Sequence, residues 1–321
     1  MRWAAERAPA LRAQAEAEAV VLLRNALVAA ATEESRRPEA KPAPPSPTAE
    51  SEPGELLWAY CVLRASDPEP HDLPGVDGSG KVTREEAGGL AALVSRVPRA
   101  DFGAEPLRRN LNDISWLEHV ARSHEAVLER VLQSSTIVPL RMCTLYESSR
   151  GVRQMLEDEH DVLTGALEAL EGRQEWGVKM LVDRPRLLEV ARQNSDRASA
   201  MEDEIDAGGE GGAYMLRRRL EREVRELADS LAAEVTDQVH ACLQDWAIDA
   251  VTRPAQNREL SGHEGDMLLN AAYLVDTDRS NELRSLVADL EQRHRGLGIR
   301  IELSGPWPPY NFVPGGRAPG A

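Results

Sequence analysis

Aromatic residues make up only 4% of this 321-residue sequence, and it contains three cysteines. The shortage of aromatics, beside an apolar set dominated by Ala and Leu, argues against an all-β sandwich or barrel and toward helices. Cys61, Cys143 and Cys242 lie far apart with no CxxC spacing. That excludes zinc ribbons, thioredoxin-like motifs and a disulfide framework, and it fits a reducing cytoplasm. Positive charge is also short: 38 Lys and Arg stand against 54 Asp and Glu, a formal net charge of −16. Phosphate affinity is supplied mostly by Lys and Arg, so no general nucleic-acid binding is expected. Long hydrophobic runs are missing too. The most apolar N-terminal stretch, Ala19 to Ala31, is interrupted by Arg24 and Asn25 and falls short of the roughly 20 residues of a membrane helix. Neither a signal peptide nor membrane insertion is expected.

A hydrophobic content of 42% suffices for the cores of about two domains. Residues 1–37 read as a helical extension, with Val20, Leu23 and Leu27 at helical spacing. Residues 38–54 carry six prolines and no apolar periodicity, the composition of an extended linker. An N-terminal α+β domain is expected over 55–171. Its first strand is Leu56 to Leu63; Leu90 to Val97 fits a strand or a short helix, and Gly88-Gly89 just before it favours the strand. Asn112 or Asp113 caps a helix whose apolar stripe is Trp116, Leu117, Val120, Val127, Leu128 and Val131, with Ser115 and Glu118 in capping-box spacing. Ile137 to Met142 reads as a strand in which Pro139, with no N–H to donate, demands an edge position or a bulge. One long helix follows from Ser148 to Leu170.

The second domain, 172–305, opens with a strand alternating Trp176, Val178, Met180 and Val182. Helices follow over Pro185–Asn194 and Tyr214–Val251, separated by a Gly-rich segment. A short strand is expected within 254–262, then a strand over Asp266–Val275. A helix carrying Leu283, Leu286, Val287 and Leu290 ends at Gly296, and Ile299–Leu303 is the last strand. The order β-α-β-β-α-β is that of a ferredoxin-like unit with an enlarged first helical section. Residues 306–321 form a Pro and aromatic tail.

Sequence support for catalysis is thin. Gly75-Val76-Asp77-Gly78-Ser79-Gly80-Lys81 satisfies the GxxxxGK of a phosphate-binding loop, and it carries the alternative reading of a nucleotide-binding enzyme. Val82 stands where a Ser or Thr hydroxyl should hold magnesium, and no helix clearly starts at the lysine. His119 and His124 are wrongly spaced for HExxH, so the histidines are read as surface or interfacial groups, and no metal or cofactor is expected. The acidic run Glu157–Asp161 reads as a solvated helix face. Arg217-Arg218-Arg219, Arg222 and Arg225, interleaved with Glu221, Glu223 and Glu226, read as ion pairs along a helix. In the tail, Trp307, Tyr310 and Phe312 either clamp it to the body or offer an aromatic contact to a partner.

Several strings taken together resemble the gas vesicle protein F/L family (GvpF/GvpL). They are Trp116-Leu117-Glu118 with His124-Glu125-Ala126-Val127-Leu128, Val138-Pro139-Leu140-Arg141, Glu175-Trp176-Gly177-Val178-Lys179, Leu269-Asn270-Ala271-Ala272-Tyr273-Leu274-Val275, and Glu302-Leu303-Ser304-Gly305-Pro306-Trp307-Pro308-Pro309-Tyr310-Asn311-Phe312. The resemblance spans residues 56–313. It implies a non-enzymatic accessory protein for building gas vesicles, the hollow protein-walled organelles that give microbial cells buoyancy. It further implies two α+β domains, the second a modified ferredoxin-like fold. It also implies contacts with the small hydrophobic shell protein GvpA and other accessory proteins, and a location in the cytoplasm or the vesicle wall. No catalytic residue is carried over. The first 55 residues have no counterpart in the family pattern.

Overall fold

A computed structural model of the chain describes residues 54–207, 210–254 and 265–313. The helical extension, nearly all of the Pro-rich linker and most of the strand expected within 254–262 lie outside the described residues. The described chain divides into two compact units, one of residues up to Gly172 together with Trp307 onward, the other Arg173–Pro306. Helices and antiparallel sheets occur in both.

The first unit is built on β1 (Glu55–Arg64), β2 (Val82–Ala87), β3 (Leu90–Pro98) and two short strands, β4 (Val138–Pro139) and β5 (Leu145–Tyr146). The sheet runs β2-β3-β1-β4, and β5 also pairs with β1. Every residue of β1 between its two ends is buried, which is why it reads as a continuous apolar run and not an alternating one. A β-bulge between Ala59 and Cys61 leaves Tyr60 unmatched against β3, and Tyr60 and Cys61 both join one core. Two short helices, α1 (Arg99–Phe102) and α2 (Ala104–Asn110), precede α3 (Ile114–Leu132). Asp113 caps α3 by accepting from the amides of Ser115 and Trp116, so the capping-box spacing of Ser115 and Glu118 is not what starts the helix.

The single helix expected over 148–170 is two, α4 (Ser149–Asp158) and α5 (His160–Leu170), interrupted at Glu159 (φ −104°, ψ 14°). α4 packs on β2 and β3, and α5 on β1 and β4. The break leaves Val162 outside the stripe, 53% exposed. Glu157, Asp158, Glu159 and Asp161 are exposed, as a solvated face should be.

The second unit contains β6 (Arg173–Val182), α6 (Arg184–Gln193), α7 (Asp196–Ala207), α8 (Glu210–Trp246), β7 (Asp249–Thr252), β8 (Asp266–Asp276), α9 (Ser280–His294) and β9 (Ile299–Trp307). Its sheet runs β7-β8-β6-β9, the order produced when two β-α-β crossovers interleave. Trp176, Val178, Met180 and Val182 of β6 share a core with Leu269, Ala271, Tyr273 and Val275 of β8 and with α6 to α9. α8 has 37 residues, about 55 Å at about 1.5 Å per residue. Leu220, Val224, Ala228, Ala232, Val235, Val239 and Leu243 form its buried stripe, stepping by three or four residues as one face of a helix must. Three expectations fail here. The stretch expected to separate the two helices holds α7 and the start of α8, residues 249–251 belong to strand β7 and not to the long helix, and α9 is closed by Gly298 at φ 78° after a 3-10 turn, not by Gly296.

Candidate functional site

The tail is where the sequence placed its candidate contact residues. Trp307 ends β9, Pro308 and Pro309 are buried, and Tyr310 and Phe312 are half-buried within the first unit. Tyr310 packs against the core that holds Trp58, Tyr60, Phe102, Leu117 and Val120. Its hydroxyl donates to Glu125 Oε1 at 3.0 Å and lies 3.2 Å from His124 Nε2.

His124 is the centre of this arrangement, and it is buried, not the surface or interfacial group expected. The reason lies in the stripe of α3, where it falls on the same face as Val120, Ala121, Val127 and Leu128. Its ring stacks on Tyr60 with centroids 5.3 Å apart. Trp58 donates its indole N–H to His124 Nδ1 at 3.0 Å. An indole N–H only donates, so Nδ1 must be the bare acceptor, and the ring proton sits on Nε2, facing Tyr310. Burial holds the imidazole neutral and pulls its pKa down to about 4, with the Leu140 carbonyl offsetting a little of that. The result is a directional chain, Trp58 to His124 to Tyr310 to Glu125, which joins residues far apart in sequence through groups with little freedom to swap roles.

A second buried pair explains the GxxxxGK string. Tyr60 and Ser95 share a 2.7 Å hydrogen bond, and Tyr60 Oη accepts from the amide of Val76 at 2.9 Å. Burial pushes the phenol up to about 12. Gly75 N–H donates to Gly80 O and Gly78 N–H to Gly75 O, while Asp77 accepts from the amides of Ser79 and Gly80. The amides of Gly75, Val76, Gly78, Ser79 and Gly80 are therefore already taken and not free to cradle a phosphate. Lys81 pairs with Asp72 at the surface, and the chain continues into β2 where a phosphate-binding loop would enter a helix. The glycine at 75 has a steric cause: a Cβ there would lie 2.7 Å from Ser95 Oγ. The string is a tied turn.

A cleft of about 360 Å³ is lined by Arg64, Gly88, Leu90, His160, Thr164 and Leu167, among others. Its charged groups are already engaged, Arg64 with Glu171 at 3.0 Å and His160 with Asp161 and the Gly88 carbonyl. Among the described residues no group of three His, Cys, Asp or Glu is placed to hold a metal ion. No described helix is long and apolar enough to cross a membrane.

On α8 the expected ion pairs form only in part. Arg222 pairs with Glu226 and Arg225 with Glu221, but Glu223 turns to Arg197 of α7. Arg217, Arg218 and Arg219 are exposed, and among the described residues they make no ion pair.

Comparison with known proteins covers both units. The family model for gas vesicle synthesis protein GvpL/GvpF matches residues 56–314. Gas vesicle protein L of Streptomyces sp. (strain CB03234) is 36% identical over 264 residues, covering 80% of this chain and 92% of the relative. Gas vesicle protein L1 of Halobacterium salinarum is 25% identical and covers 80% of this chain and 90% of its own. The crystal structure of GvpF from Anabaena sp. PCC7120 shares the fold with a TM-score of 0.57 at 21% identity, covering 81% of this chain and 96% of that one. The chain belongs to the gas vesicle synthesis protein GvpL/GvpF family, and its role lies in gas vesicle assembly.

Proposed function

We infer that this chain is a non-catalytic assembly factor that holds the small hydrophobic shell protein GvpA, alone or with other accessory proteins, and keeps it from aggregating while a vesicle is nucleated. The observation that carries this reading is the family match, which runs through both units without a gap at their boundary. The physical need is plain. A strongly apolar subunit that pairs strand to strand is sticky wherever an edge or an apolar face is open. A carrier with a net charge of −16 keeps its complexes apart in solution by mutual repulsion. In this reading the work is done in the cytoplasm and at the growing vesicle. In this reading Trp307, Tyr310 and Phe312 first fix the tail to its unit, and they meet a partner through the edges left uncovered.

The test is co-expression of the tagged chain with GvpA, followed by purification, alongside light scattering of GvpA with an equimolar amount of the purified chain. Recovery of soluble GvpA with the tag and suppressed scattering are expected. Unchanged aggregation together with no co-purification would sink the reading.

A further inference from the structure

The cleft in the first unit has three walls. One is the turn after β1, where the Arg84 guanidinium, only 10% exposed, donates to the carbonyls of Arg64, Ala65 and Asp67. The second is the Gly88-Gly89 turn that joins β2 to β3, with φ of 60° and 84°, the geometry of a two-residue hairpin. Gly89 O accepts from the amide of Ala65 at 2.9 Å, which ties these two walls together. The third is α5, whose His160, Thr164 and Leu167 recur at four and three along one face.

Two kinds of chemistry meet in the cleft. The apolar part is Leu90 and Leu167, both buried. The polar part is cationic. His160 Nδ1 lies 3.1 Å from Asp161 Oδ1, and its Nε2 lies 3.0 Å from the Gly88 carbonyl oxygen. A carboxylate and a carbonyl only accept, so both ring nitrogens carry protons in this geometry and the ring is an imidazolium. Both partners push its pKa up, Asp161 the more. Glycine at 88 permits the approach, since a Cβ there would lie 3.2 Å from His160 Cδ2. Arg64 gives Nη2 to Glu171 and leaves Nε and Nη1 without a partner among the described residues. The hydroxyls of Ser66 and Thr164 have none there either. Although the chain has 54 acidic side chains, no described Asp or Glu lines this cleft.

We propose that the cleft binds a small aliphatic carboxylate, with Arg64 and His160 facing its charge, Ser66 and Thr164 donating to its oxygens, and Leu90 and Leu167 against its chain. A volume of about 360 Å³ stands at the small end of ligand pockets. Glu171 is 65% exposed and Asp161 fully so, and pairs in solvent neutralise their cations only weakly. The ligand therefore meets positive charge. This site does not depend on the shell-protein reading and adds a small-molecule ligand to it.

Methyl NMR of the full chain, labelled at leucine, tests this with hexanoate as the probe. Saturable shifts of the Leu90 and Leu167 methyls are expected, with a Kd of roughly 1 mM, the strength that so few atoms supply. Hexanamide has the chain without the charge, and acetate has the charge without the chain; each should bind at least about tenfold more weakly. Arg64→Gln and His160→Gln should each weaken hexanoate binding about tenfold, since a charge-assisted hydrogen bond is lost. Thr164→Phe, which leaves both cations in place and fills the cleft, should abolish the shifts, and it keeps the test open if a charge variant fails to fold. No saturable shift at ~10 mM hexanoate, shifts confined to other leucines, equal affinity for hexanamide or acetate, or binding indifferent to these substitutions would each overturn the proposal.

Discussion

The polar groups around Tyr310 and those on the α7 to α8 hairpin have opposite fates. Around Tyr310, in the first unit, indole, imidazole, phenol and carboxylate are buried or half-buried and each meets a named partner. On the hairpin, in the second unit, three arginines and three acids stand in solvent with no ion-pair partner among the described residues. Burying a polar group without a partner costs free energy, so the first arrangement persists only because it is complete. Leaving a charge in water costs little, so the second needs no internal completion. The first region bears on stability, and the second adds little to it.

The widest break in that comparison should come from Trp58, fully buried beneath the tail contact. Trp58→Ala removes a large ring and the donor to His124, and should destabilise the chain by about 3–5 kcal/mol, read by denaturant unfolding. Next comes pH. His124 has a folded pKa of about 4 against an ordinary value of 6.5, so the unfolded chain binds more protons between those values. Its contribution is therefore complete above about pH 6.5 and is lost as the pH falls toward 4, an effect of roughly 2–4 kcal/mol. His124→Gln should flatten that part of the stability profile; an unchanged slope would mean other groups carry it. A smaller effect is expected of Tyr310→Phe, which keeps the ring and deletes the hydroxyl between His124 and Glu125, at about 1–2 kcal/mol by thermal unfolding. Least of all should R217E/R218E/R219E matter to stability, within about 0.5 kcal/mol, since all three side chains are exposed. A large loss there would erase the contrast between the two regions.

Much of the fold is legible in the residues, for identifiable reasons. β1, β3, β6, β8 and β9 are apolar runs or clean alternations bounded by turn residues, and α3 and α9 carry stripes at three and four spacing. β2 is not legible: Val-Thr-Arg-Glu-Glu-Ala has one buried residue and lies at the sheet edge, where pairing with β3 makes it a strand. β7 hides as the continuation of a long helical pattern, and only its pairing with β8 separates it. α7 offers just Ala198 and Met201 to the core, too little for a visible stripe. Of the tail contact, the aromatic cluster is visible as a string. His124 falls within the visible stripe of α3, yet a histidine can face either core or solvent, so the stripe alone does not say that Trp58 and Tyr310 complete it.

By itself the amino-acid sequence determines an acidic α+β chain, the periodic elements of both units and the family resemblance, because composition and local periodicity are properties of neighbouring residues. Only the tertiary structure decides that the GxxxxGK string is a tied turn, that His124 is a buried neutral link, and that Arg217 to Arg219 form no ion pair among the described residues. Those outcomes depend on which distant group takes up each donor, acceptor or charge. Tyr60 reaches Val76, Trp58 reaches His124 and Arg197 reaches Glu223 across the fold, and no spacing along the chain encodes such a choice.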